Sequence, residues 1–325
     1  MPTLSKIFSI ILAIILGCGG VIGIFYGLNY LANFLPNKWR HRVLPWIYLA
    51  PALIVLSGYL FLPTLNTIYL SFLDQRSQNF VGLDNYIFAF TNSTMLAAFS
   101  NNILWLVLVT SFSVALGLII AVLVDRVRYE SFAKALIFLP LAISFVGASV
   151  IWRFVYAFRP AGTAQIGLLN GIITSLGFEP IGWLVEPSLN NFALIAIMIW
   201  LQTGFCTILF SAAVKGIPKD IIEAARMDGA NEWQIFWKIT IPMISSTIAV
   251  VATTVVIMVL KVFDIVWVMT NGNQGTEVIA SRMLKEMFNF RNFGRGSAIA
   301  VILLLAIVPV MIGNIRRFRQ QEQLR

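Results

Sequence analysis

The sequence predicts an all-α membrane protein, a polytopic bundle of about seven transmembrane helices. Of its 325 residues, 59% are hydrophobic and only 11% are charged, and the mean hydropathy is +0.85. Soluble domains carry roughly 25% charged residues, so this chain is too apolar to be one. Its apolar residues fall into separate runs of about 20, the length a helix needs to cross a hydrocarbon core of about 30 Å. Runs of this length exclude a transmembrane β-barrel.

Seven such runs are predicted to span the membrane, each separated from the next by a more polar stretch. In chain order they cover residues 7–28, 46–69, 102–124, 135–157, 191–214, 243–268 and 297–315. Several contain proline or glycine, as at Pro51, Pro63, Gly117, Pro140 and Gly204. These residues weaken a soluble helix but are tolerated in a membrane bundle, because neighbouring helices satisfy the freed backbone groups.

The first run, preceded by Lys6, is also compatible with a secretory signal peptide. We favour a membrane span, because no small-x-small cleavage site is clear and the run exceeds a signal-like length. Its glycines repeat the G-x-x-x-G spacing that lets membrane helices approach closely, although glycine is also simply frequent in such helices. We assign residues 1–45 to an additional N-terminal span and a basic linker, and residues 46–325 to the main transmembrane domain.

The Lys and Arg residues between the runs predict the orientation. Alternate segments carry 14 of them, against 8 in the remaining segments, and basic residues gather on the cytoplasmic side. The larger group comprises Lys38, Arg40, Arg42, Arg126, Arg128, Lys134, Lys215, Lys219, Arg226, Lys238, Arg316, Arg317, Arg319 and Arg325. The linker, residues 216–242 and the C-terminus are therefore expected inside, and the N-terminus outside. Residues 282–295 do not fit this distribution, because the segment is expected outside but is itself basic.

Composition argues against metal, disulfide and nucleotide chemistry in this chain. Cys18 and Cys206 both lie inside apolar runs, and His41 is the only histidine, so no disulfide framework or Cys/His metal site can be built. No phosphate-binding G-x-x-x-x-G-K-[ST] loop occurs. The chain is therefore expected to be no enzyme and to bind no cofactor itself. Its net charge of +9 reflects membrane orientation rather than nucleic-acid binding.

One polar segment, residues 216–242, stands between two strongly apolar runs. Pro218 and Asp220 suit the first turn of a helix, where a missing N–H costs nothing and acid complements the helix dipole. Gly229 suits a left-handed C-cap, and Asn231 suits the N-cap of a second helix. The segment is therefore predicted to form a helix–turn–helix hairpin at the membrane surface.

This segment resembles the EAA loop of the inner-membrane permeases of binding-protein-dependent ABC importers. The matching residues are Glu223, Ala224, Ala225, Asp228, Gly229, Ala230, Phe236 and Pro242. In that family the loop docks into a cleft of the ATPase subunit, so the resemblance implies a cytoplasmic coupling-helix loop. We expect the Glu223 carboxylate to fix this dock by a charge-assisted hydrogen bond. A plain connector between two spans would not need this spacing.

The resemblance extends over most of the chain after residue 45, to the sugar-type branch that includes the maltose and glycerol phosphate permeases. Matching residues lie at 51–53, 63, 71–72, 80–86, 139–140, 151–152, 263–264 and 270–272. Residues 273–275, Asn-Gln-Gly, depart from the family's usual Gly-Gly-Pro pattern after Thr-Asn. The resemblance implies a six-helix permease core plus the N-terminal span, in the plasma or inner membrane of a bacterium or archaeon.

The family resemblance also implies ATP-driven import by alternating access. ATP and Mg²⁺ would bind an ABC ATPase dimer, and a periplasmic or lipid-anchored solute-binding protein would deliver the solute. Sugar-type permeases commonly work as heterodimers, so a second, different permease subunit is expected. A disaccharide, a glycoside osmolyte such as glucosylglycerol and glycerol phosphate all fit this branch. The basic residues of the outer segment 282–295 are also compatible with an anionic solute.

Candidate solute-path residues are of two kinds. Lys261 and Asp264 are opposite charges in one predicted span, where their i, i+3 spacing lets them pair on one helix face. They form either a structural ion pair or interfacial snorkelling groups, or they line the solute path. Aromatic and amide side chains that suit sugar rings and hydroxyls are Trp200, Gln202, Trp267 and Asn271. Aromatic residues also belt membrane interfaces for nonspecific reasons.

A secondary active transporter of a small polar solute is the alternative function, since it would also be a polytopic helical bundle. Such a protein would typically show a midplane carboxylate, a histidine relay or paired discontinuous helices. The sequence shows none of these deep in its spans. A membrane-embedded enzyme would need clustered Asp, His or metal ligands at one face, whereas the carboxylates here are scattered.

Overall fold

The computed structural model describes residues 2–32, 37–125 and 127–323. In these ranges the regular structure is helical, apart from an isolated antiparallel bridge between Leu73 and Phe80. The predicted all-α class is confirmed. Two of the basic residues used to predict orientation, Arg126 and Arg325, lie outside the described residues, as do residues 33–36 of the predicted linker.

The chain divides into two compact units, Met1–Asn66 and Thr67–Arg325. The first contains α1 (Pro2–Ala32), α2 (Asn37–Leu56), a π-helical turn and the start of α3 (Leu62–Leu70). Within this unit the Phe25 and Tyr48 rings stack with centroids 6.0 Å apart. Most apolar side chains described in this unit are exposed, as expected of helices that face lipid.

The second unit holds the remaining helices. Its first half contains α4 (Asp84–Thr91), α5 (Ser93–Val124), α6 (Glu130–Phe138), α7 (Phe145–Val155), α8 (Leu168–Ser175) and α9 (Asn190–Lys215). Its second half contains α10 (Lys219–Met227), α11 (Glu232–Ile235), α12 (Ile241–Met243), α13 (Ser245–Leu260), α14 (Asp264–Thr270), α15 (Ile279–Leu284) and α16 (Phe293–Gln323).

Five helical stretches of the described residues are long and apolar enough to cross a membrane: Phe8–Tyr30, Arg42–Leu70, Ser93–Val124, Asn190–Lys215 and Phe293–Arg316. Two bent helix pairs bring the number to seven if each is one span. The prediction of about seven spans is thus confirmed, but two of the predicted spans are not continuous helices.

The first bent span is interrupted at Ile143. Glu130–Ala142 meets Phe145–Val155 at 101°, whereas the sequence predicted one helix over 135–157. The physical reason is a local stop and restart: Ile143 is extended, and the Ser144 hydroxyl caps α7 by accepting the Gly147 N–H at 3.0 Å.

The second bent span contains two interruptions. Glu232–Met243 meets Ser245–Leu260 at 71°. Farther along, α13 ends at Leu260 and α14 begins at Asp264, so the helix predicted over 243–268 is broken near both of its ends. Paired discontinuous helices, which the sequence did not reveal, are therefore a feature of this fold.

The long helices α5 and α9 form the centre of the second unit and run in the same direction. Asn101 contacts Asn191 at one end, and Asp125 contacts Ser211 at the other. Between these ends a Cβ on Gly117 would lie 2.3 Å from the Cβ of Cys206, so glycine is required for the helices to come this close. Because α9 has 26 residues, its ends lie about 39 Å apart.

Candidate functional site

The hairpin of residues 216–242 follows the Lys215 end of α9. Its first helix, α10, is capped by Pro218, which precedes the first turn instead of lying in it as predicted. Gly229 then adopts the left-handed conformation, with φ +83°, and the Ala230 N–H bonds the Ala225 carbonyl at 3.0 Å. The predicted glycine turn is confirmed.

The second helix of the hairpin begins at the predicted residue, Asn231. The Asn231 side chain accepts the Gln234 N–H at 2.8 Å, and the Gln234 side chain accepts the Asn231 N–H at 2.9 Å. This reciprocal capping box satisfies two backbone donors at once. An ion pair between Arg226 Nε and Glu232 Oε1, at 3.0 Å, then joins α10 to α11. The two short helices are therefore braced against each other.

A cavity of about 620 Å³ separates this hairpin from the ends of α5 and α9. Ile222 and Glu223 line it from α10, and Ile235 lines it from α11. Glu223 is exposed, and no ion pair of its carboxylate occurs within the described residues. This carboxylate is therefore available to accept a hydrogen bond from another chain.

The other residues of the predicted coupling set occupy the same hairpin. Ala224 and Asp228 are exposed, and Ala225 and Ala230 are half-buried. Phe236 is half-buried in a π-helical turn between α11 and α12, and its ring lies edge-on to Trp237 at 5.3 Å. Pro242 lies in α12, immediately before the chain turns into α13. The hairpin thus presents the whole set on one compact, partly exposed element.

A charged cluster joins three elements beside the hairpin. Lys134 of α6 contacts Asp125 at 2.6 Å and Glu130 at 2.5 Å, and it also donates to the Ser211 hydroxyl. Glu130 accepts a further ion pair from Lys215. This cluster was not predicted from the sequence, because Ser211 lies 77 positions from Lys134 and 86 from Asp125. The i, i+4 spacing of Glu130 and Lys134 was the only local signal.

The opposite end of α9 holds a loop, residues 271–277. Asn101 donates to the carbonyls of Gly275 and Glu277 at 2.6 and 2.8 Å, and Asn190 donates to the Gln274 carbonyl at 2.8 Å. These bonds hold the loop where Gln274 has φ 54°, a conformation unfavourable for most residues with a Cβ; Asn271 has the same φ, which asparagine tolerates. The hairpin and this loop therefore mark the two ends of the bundle.

Two of the basic side chains at this end are paired with carboxylates, and a third packs on an aromatic ring. Arg282 contacts Glu286 at 2.6 Å and Glu277 at 3.6 Å, and Lys285 contacts Glu277 at 2.9 Å. Arg295 lies over the Phe88 ring, 3.9 Å from its centroid. The sequence count treated these residues as free positive charge. Arg282 and Lys285 are in fact paired with carboxylates.

Lys261 and Asp264 lie at a helix break rather than on one helix. Lys261 follows the end of α13, Asp264 starts α14, and no ion pair joins them in the described structure. The predicted pairing on one helix face is therefore wrong, because the backbone leaves the helix between them. Both residues instead line a cavity of about 270 Å³.

The break between α13 and α14 faces the break before α7. A second cavity, of about 340 Å³, is lined by Ser144 and Phe145 from one break and by Asp264 from the other. Phe145 and Asp264 also line the 270 Å³ cavity, so the two cavities adjoin. Phe145 and Ser144 were missed as site residues. The Ser-x-x-Gly cap that ends the break was the available signal.

The aromatic and amide candidates do not join this cavity pair. Trp267 and Asn271 line a separate cavity of about 570 Å³ next to the 271–277 loop, together with Arg153. Trp200 lies edge-on to Trp152 at 5.7 Å and lines an apolar cavity of about 550 Å³. Gln202 is fully buried in the middle of α9, and neither of its amide atoms has a hydrogen-bond partner among the described residues. The structure thus divides the predicted solute path into distinct places.

Residues 113–317 match the family model described as the binding-protein-dependent transport system inner membrane component. This match covers more than half of the chain. The chain belongs to this family. It is a multi-pass permease subunit of an ABC importer, and the secondary-transporter alternative is not supported. The paired discontinuous helices therefore occur in an ABC permease, and do not by themselves indicate a secondary transporter.

The most similar curated permeases include two that align over nearly their whole length. The chain is 77% identical to the osmoprotective compounds uptake permease protein GgtC of Synechocystis sp. over 279 residues, 86% of this chain and 100% of that permease. It is 46% identical to the alpha-glucoside transport system permease protein AglF of Rhizobium meliloti, over 98% of this chain and 99% of that permease.

A solved permease structure shares the fold. It comes from a bacterial ABC transporter involved in the import of the acidic polysaccharide alginate, with a TM-score of 0.75 and 22% sequence identity. The similarity covers 87% of this chain and 97% of that one. A second match, with the same TM-score and 20% identity, is that transporter in complex with an alginate pentasaccharide-bound periplasmic protein. These matches agree with the helical architecture described above.

Proposed function

We propose that this permease translocates a neutral sugar-like solute of the glucoside or osmoprotectant type. The observation that carries the proposal is the similarity to two full-length permeases whose names specify osmoprotective compounds and alpha-glucosides. The pairing of Arg282 and Lys285 with Glu277 and Glu286 supports a neutral solute, since it leaves less free positive charge at this end than the sequence suggested.

The adjoining cavities at the two helix breaks are the proposed solute-binding region. Lys261 supplies donors and Asp264 supplies acceptors, and sugar hydroxyls use both. Their opposite charges sum to zero, which suits an uncharged solute. Phe145 lines both cavities and offers an apolar ring for one face of a sugar. Trp267 and Asn271 line the separate cavity at the C-terminal end of α14, next to the 271–277 loop. A solute would enter there.

Transport in this proposal is powered by a separate ABC ATPase dimer, which binds ATP and Mg²⁺. Residues 216–242 would contact it through Glu223, whose carboxylate is exposed and has no ionic partner in the described structure. The braced hairpin supports this role, because a rigid element transmits a push better than a flexible loop. The hairpin and the C-terminus would then lie in the cytoplasm, and the 271–277 loop and the N-terminus outside.

Two further partners complete the proposed transporter. A second, different permease would pair with this one around a shared path, since the cavities described here open toward the surface of the chain. A periplasmic or lipid-anchored solute-binding protein would deliver the solute to the outer end of the bundle. The assembly would reside in the plasma or inner membrane and alternate access to the cavity as the ATPase dimer closes.

Reconstitution tests this function directly. The permease is co-expressed with the ATPase, second permease and binding protein encoded beside its gene, and the complex is placed in proteoliposomes. ATP-dependent uptake is measured with glucosylglycerol, a disaccharide and glycerol phosphate. We expect uptake of the neutral glycosides that requires both ATP and the binding protein. Uptake confined to glycerol phosphate would refute the proposed solute class, and uptake without ATP would refute the mechanism.

A further inference from the structure

The segment Glu232–Met243, which we call the anchor segment, exposes aromatic residues that the coupling role does not explain. Trp233 is 70% exposed and Trp237 is 50% exposed, and their rings lie edge to face with centroids 5.6 Å apart. On the opposite side of the segment, Ile235 and Thr240 are buried against the bundle. The segment therefore has a buried face and an apolar outer face, and the described residues leave the outer face exposed.

The direction of the anchor segment indicates what covers that face. The segment continues into α13 at an angle of 71°, and α13 is an apolar helix packed among the long spans. Transmembrane helices tilt on average by about 20° from the membrane normal. A segment at 71° to such a helix runs closer to the plane of the membrane than to its normal. It leaves the bundle at the level where the membrane span starts.

The composition of the outer face matches a lipid–water interface. Tryptophan side chains are enriched at the headgroup level, because the ring is apolar and the indole N–H needs a polar partner. Lys238 is also exposed and follows Trp237 directly, so its stem can lie along apolar surface while its ammonium reaches phosphate. Met243, 44% exposed, extends the apolar face toward α13.

We propose that the anchor segment is an interfacial membrane anchor whose Trp233, Trp237 and Lys238 side chains sit among phospholipid headgroups. Through the ion pair between Arg226 and Glu232, the anchor sets the height of α10 relative to the membrane. The partner is thus the lipid surface, and not the ATPase that α10 is proposed to contact. The inference requires that the chain spans a membrane but does not depend on the solute.

Spin labels placed on the whole reconstituted transporter in lipid nanodiscs test this inference. Trp237→Cys is made in a Cys18→Ser background, because Cys18 is exposed whereas Cys206 is buried. Collision rates with oxygen, which concentrates in lipid, and with a water-soluble nickel chelate give the depth of the label. Matched controls are Leu305→Cys, 61% exposed on the apolar helix α16, and Thr163→Cys, on an exposed loop.

We expect the label at position 237 to collide with oxygen several-fold more readily than the label at 163, and with the nickel chelate several-fold less. A label at 237 that matches the one at 163, or that is shielded from both reagents by the ATPase, would overturn the proposal.

The double variant Trp233→Ser, Trp237→Ser should lower solute-stimulated ATP turnover several-fold, and Trp233→Phe, Trp237→Phe should preserve most of it. Equal activity of both pairs would contradict an anchoring role.

Discussion

Lys261 and Asp264 stand on opposite sides of a helix break and face the same cavity. The first residue ends α13 and the second starts α14, so their charges are separated from each other but both directed at the 270 Å³ space. Had the helix been continuous, the two side chains would have neutralised each other on one face. The break therefore leaves a donor and an acceptor available to a solute.

Removing either charge should weaken solute recognition without unfolding the protein. A hydrogen bond to a charged group contributes about 1.5–3 kcal/mol, so Asp264→Asn and Lys261→Met should each raise the solute concentration for half-maximal uptake about 10- to 100-fold. The measurement is uptake into proteoliposomes as solute concentration varies. Asp84→Asn, an exposed carboxylate at the start of α4, is the matched control and should leave uptake unchanged. Unchanged half-saturation in both cavity variants would remove these residues from the path.

Reversing the charge of Glu223 should uncouple the permease from its ATPase. Glu223→Lys should insert normally yet abolish solute-stimulated ATP hydrolysis, because the proposed charge-assisted hydrogen bond to the ATPase would become a repulsion. ATP turnover of the assembled transporter is the readout. Glu179→Lys makes the same change at another exposed site, in the connection between α8 and α9, and should retain normal turnover. Full stimulation in the Glu223 variant would refute the coupling assignment.

The left-handed residue of the hairpin provides a conformational test. Gly229 has φ +83° and nothing lies within 4 Å of an added Cβ, so only backbone strain opposes a substitution there. Gly229→Val should disrupt the turn and reduce coupling strongly, since β-branched residues avoid this region. Gly229→Asn should retain most of the activity, because asparagine tolerates it. Solute-stimulated ATP turnover distinguishes them, and equal loss in both variants would indicate a role other than the turn.

A second glycine is required for packing rather than for conformation. A Cβ on Gly204 of α9 would lie 2.4 Å from the Ile137 carbonyl oxygen of α6, so Gly204→Ala must force backbones apart. We expect a destabilisation of about 1–3 kcal/mol, seen as a lower midpoint of thermal unfolding in detergent. Gly171→Ala, on α8 with open space around it, should be neutral or slightly stabilising. A thermal midpoint unaffected by Gly204→Ala would contradict the close approach of α6 and α9.

The loop between α3 and α4 should respond to acid through Asp74. Hydrogen bonds from the Gln78 backbone N–H and the Asn79 side chain, at 2.8 and 2.7 Å, lower the pKa of the Asp74 carboxyl below its usual value. Because the folded pKa is lowered, the turn is fully stabilised above the unfolded value of about 3.9. This stability is lost as pH falls from there through the folded pKa.

Spin-label mobility at Arg76→Cys, again with Cys18→Ser, measures this turn. Mobility should be low at neutral pH and should rise below about pH 4, the ordinary range of an aspartate. Asp74→Asn lacks a titrating group and should show no such rise. A turn that loosens equally in both proteins would assign the acid response to another group.

Local structure was predictable where neighbouring residues alone decide it. Gly229 and Asn231 defined the hairpin turn and its second helix correctly, because capping depends on the next few residues. The break at Ile143 was missed, since an apolar run with proline and serine is compatible with both a bent and a continuous membrane helix. Whether this span is bent or continuous depends also on its packing against α9, which neighbouring residues in the sequence do not specify.

Long-range arrangements were beyond sequence reasoning. The contacts of Ser211 with Lys134 and Asp125 join residues 77 and 86 positions apart. The separation of Trp200 from the cavity near Asp264 depends on which face of α9 each neighbouring helix covers. The pairing of Arg282 with Glu277 and Glu286 was not predictable for a similar reason, because charge pairing is a property of the folded loop.

The continuous helix α9 has a mechanical consequence. It contains no proline, and it is held by Asn190 and Asn191 at one end and by Ser211 and Lys215 at the other. Its long neighbour α5 is also continuous, whereas α6 and α7 form a bent pair and α13 is separated from α14 by a break. The helix α9 is itself one unbroken element of about 39 Å. The distance between the two ends of the bundle is thus set by the rise of the α-helix and the number of residues in α9. We expect the bent helices, rather than α5 or α9, to change position when access alternates between the two ends.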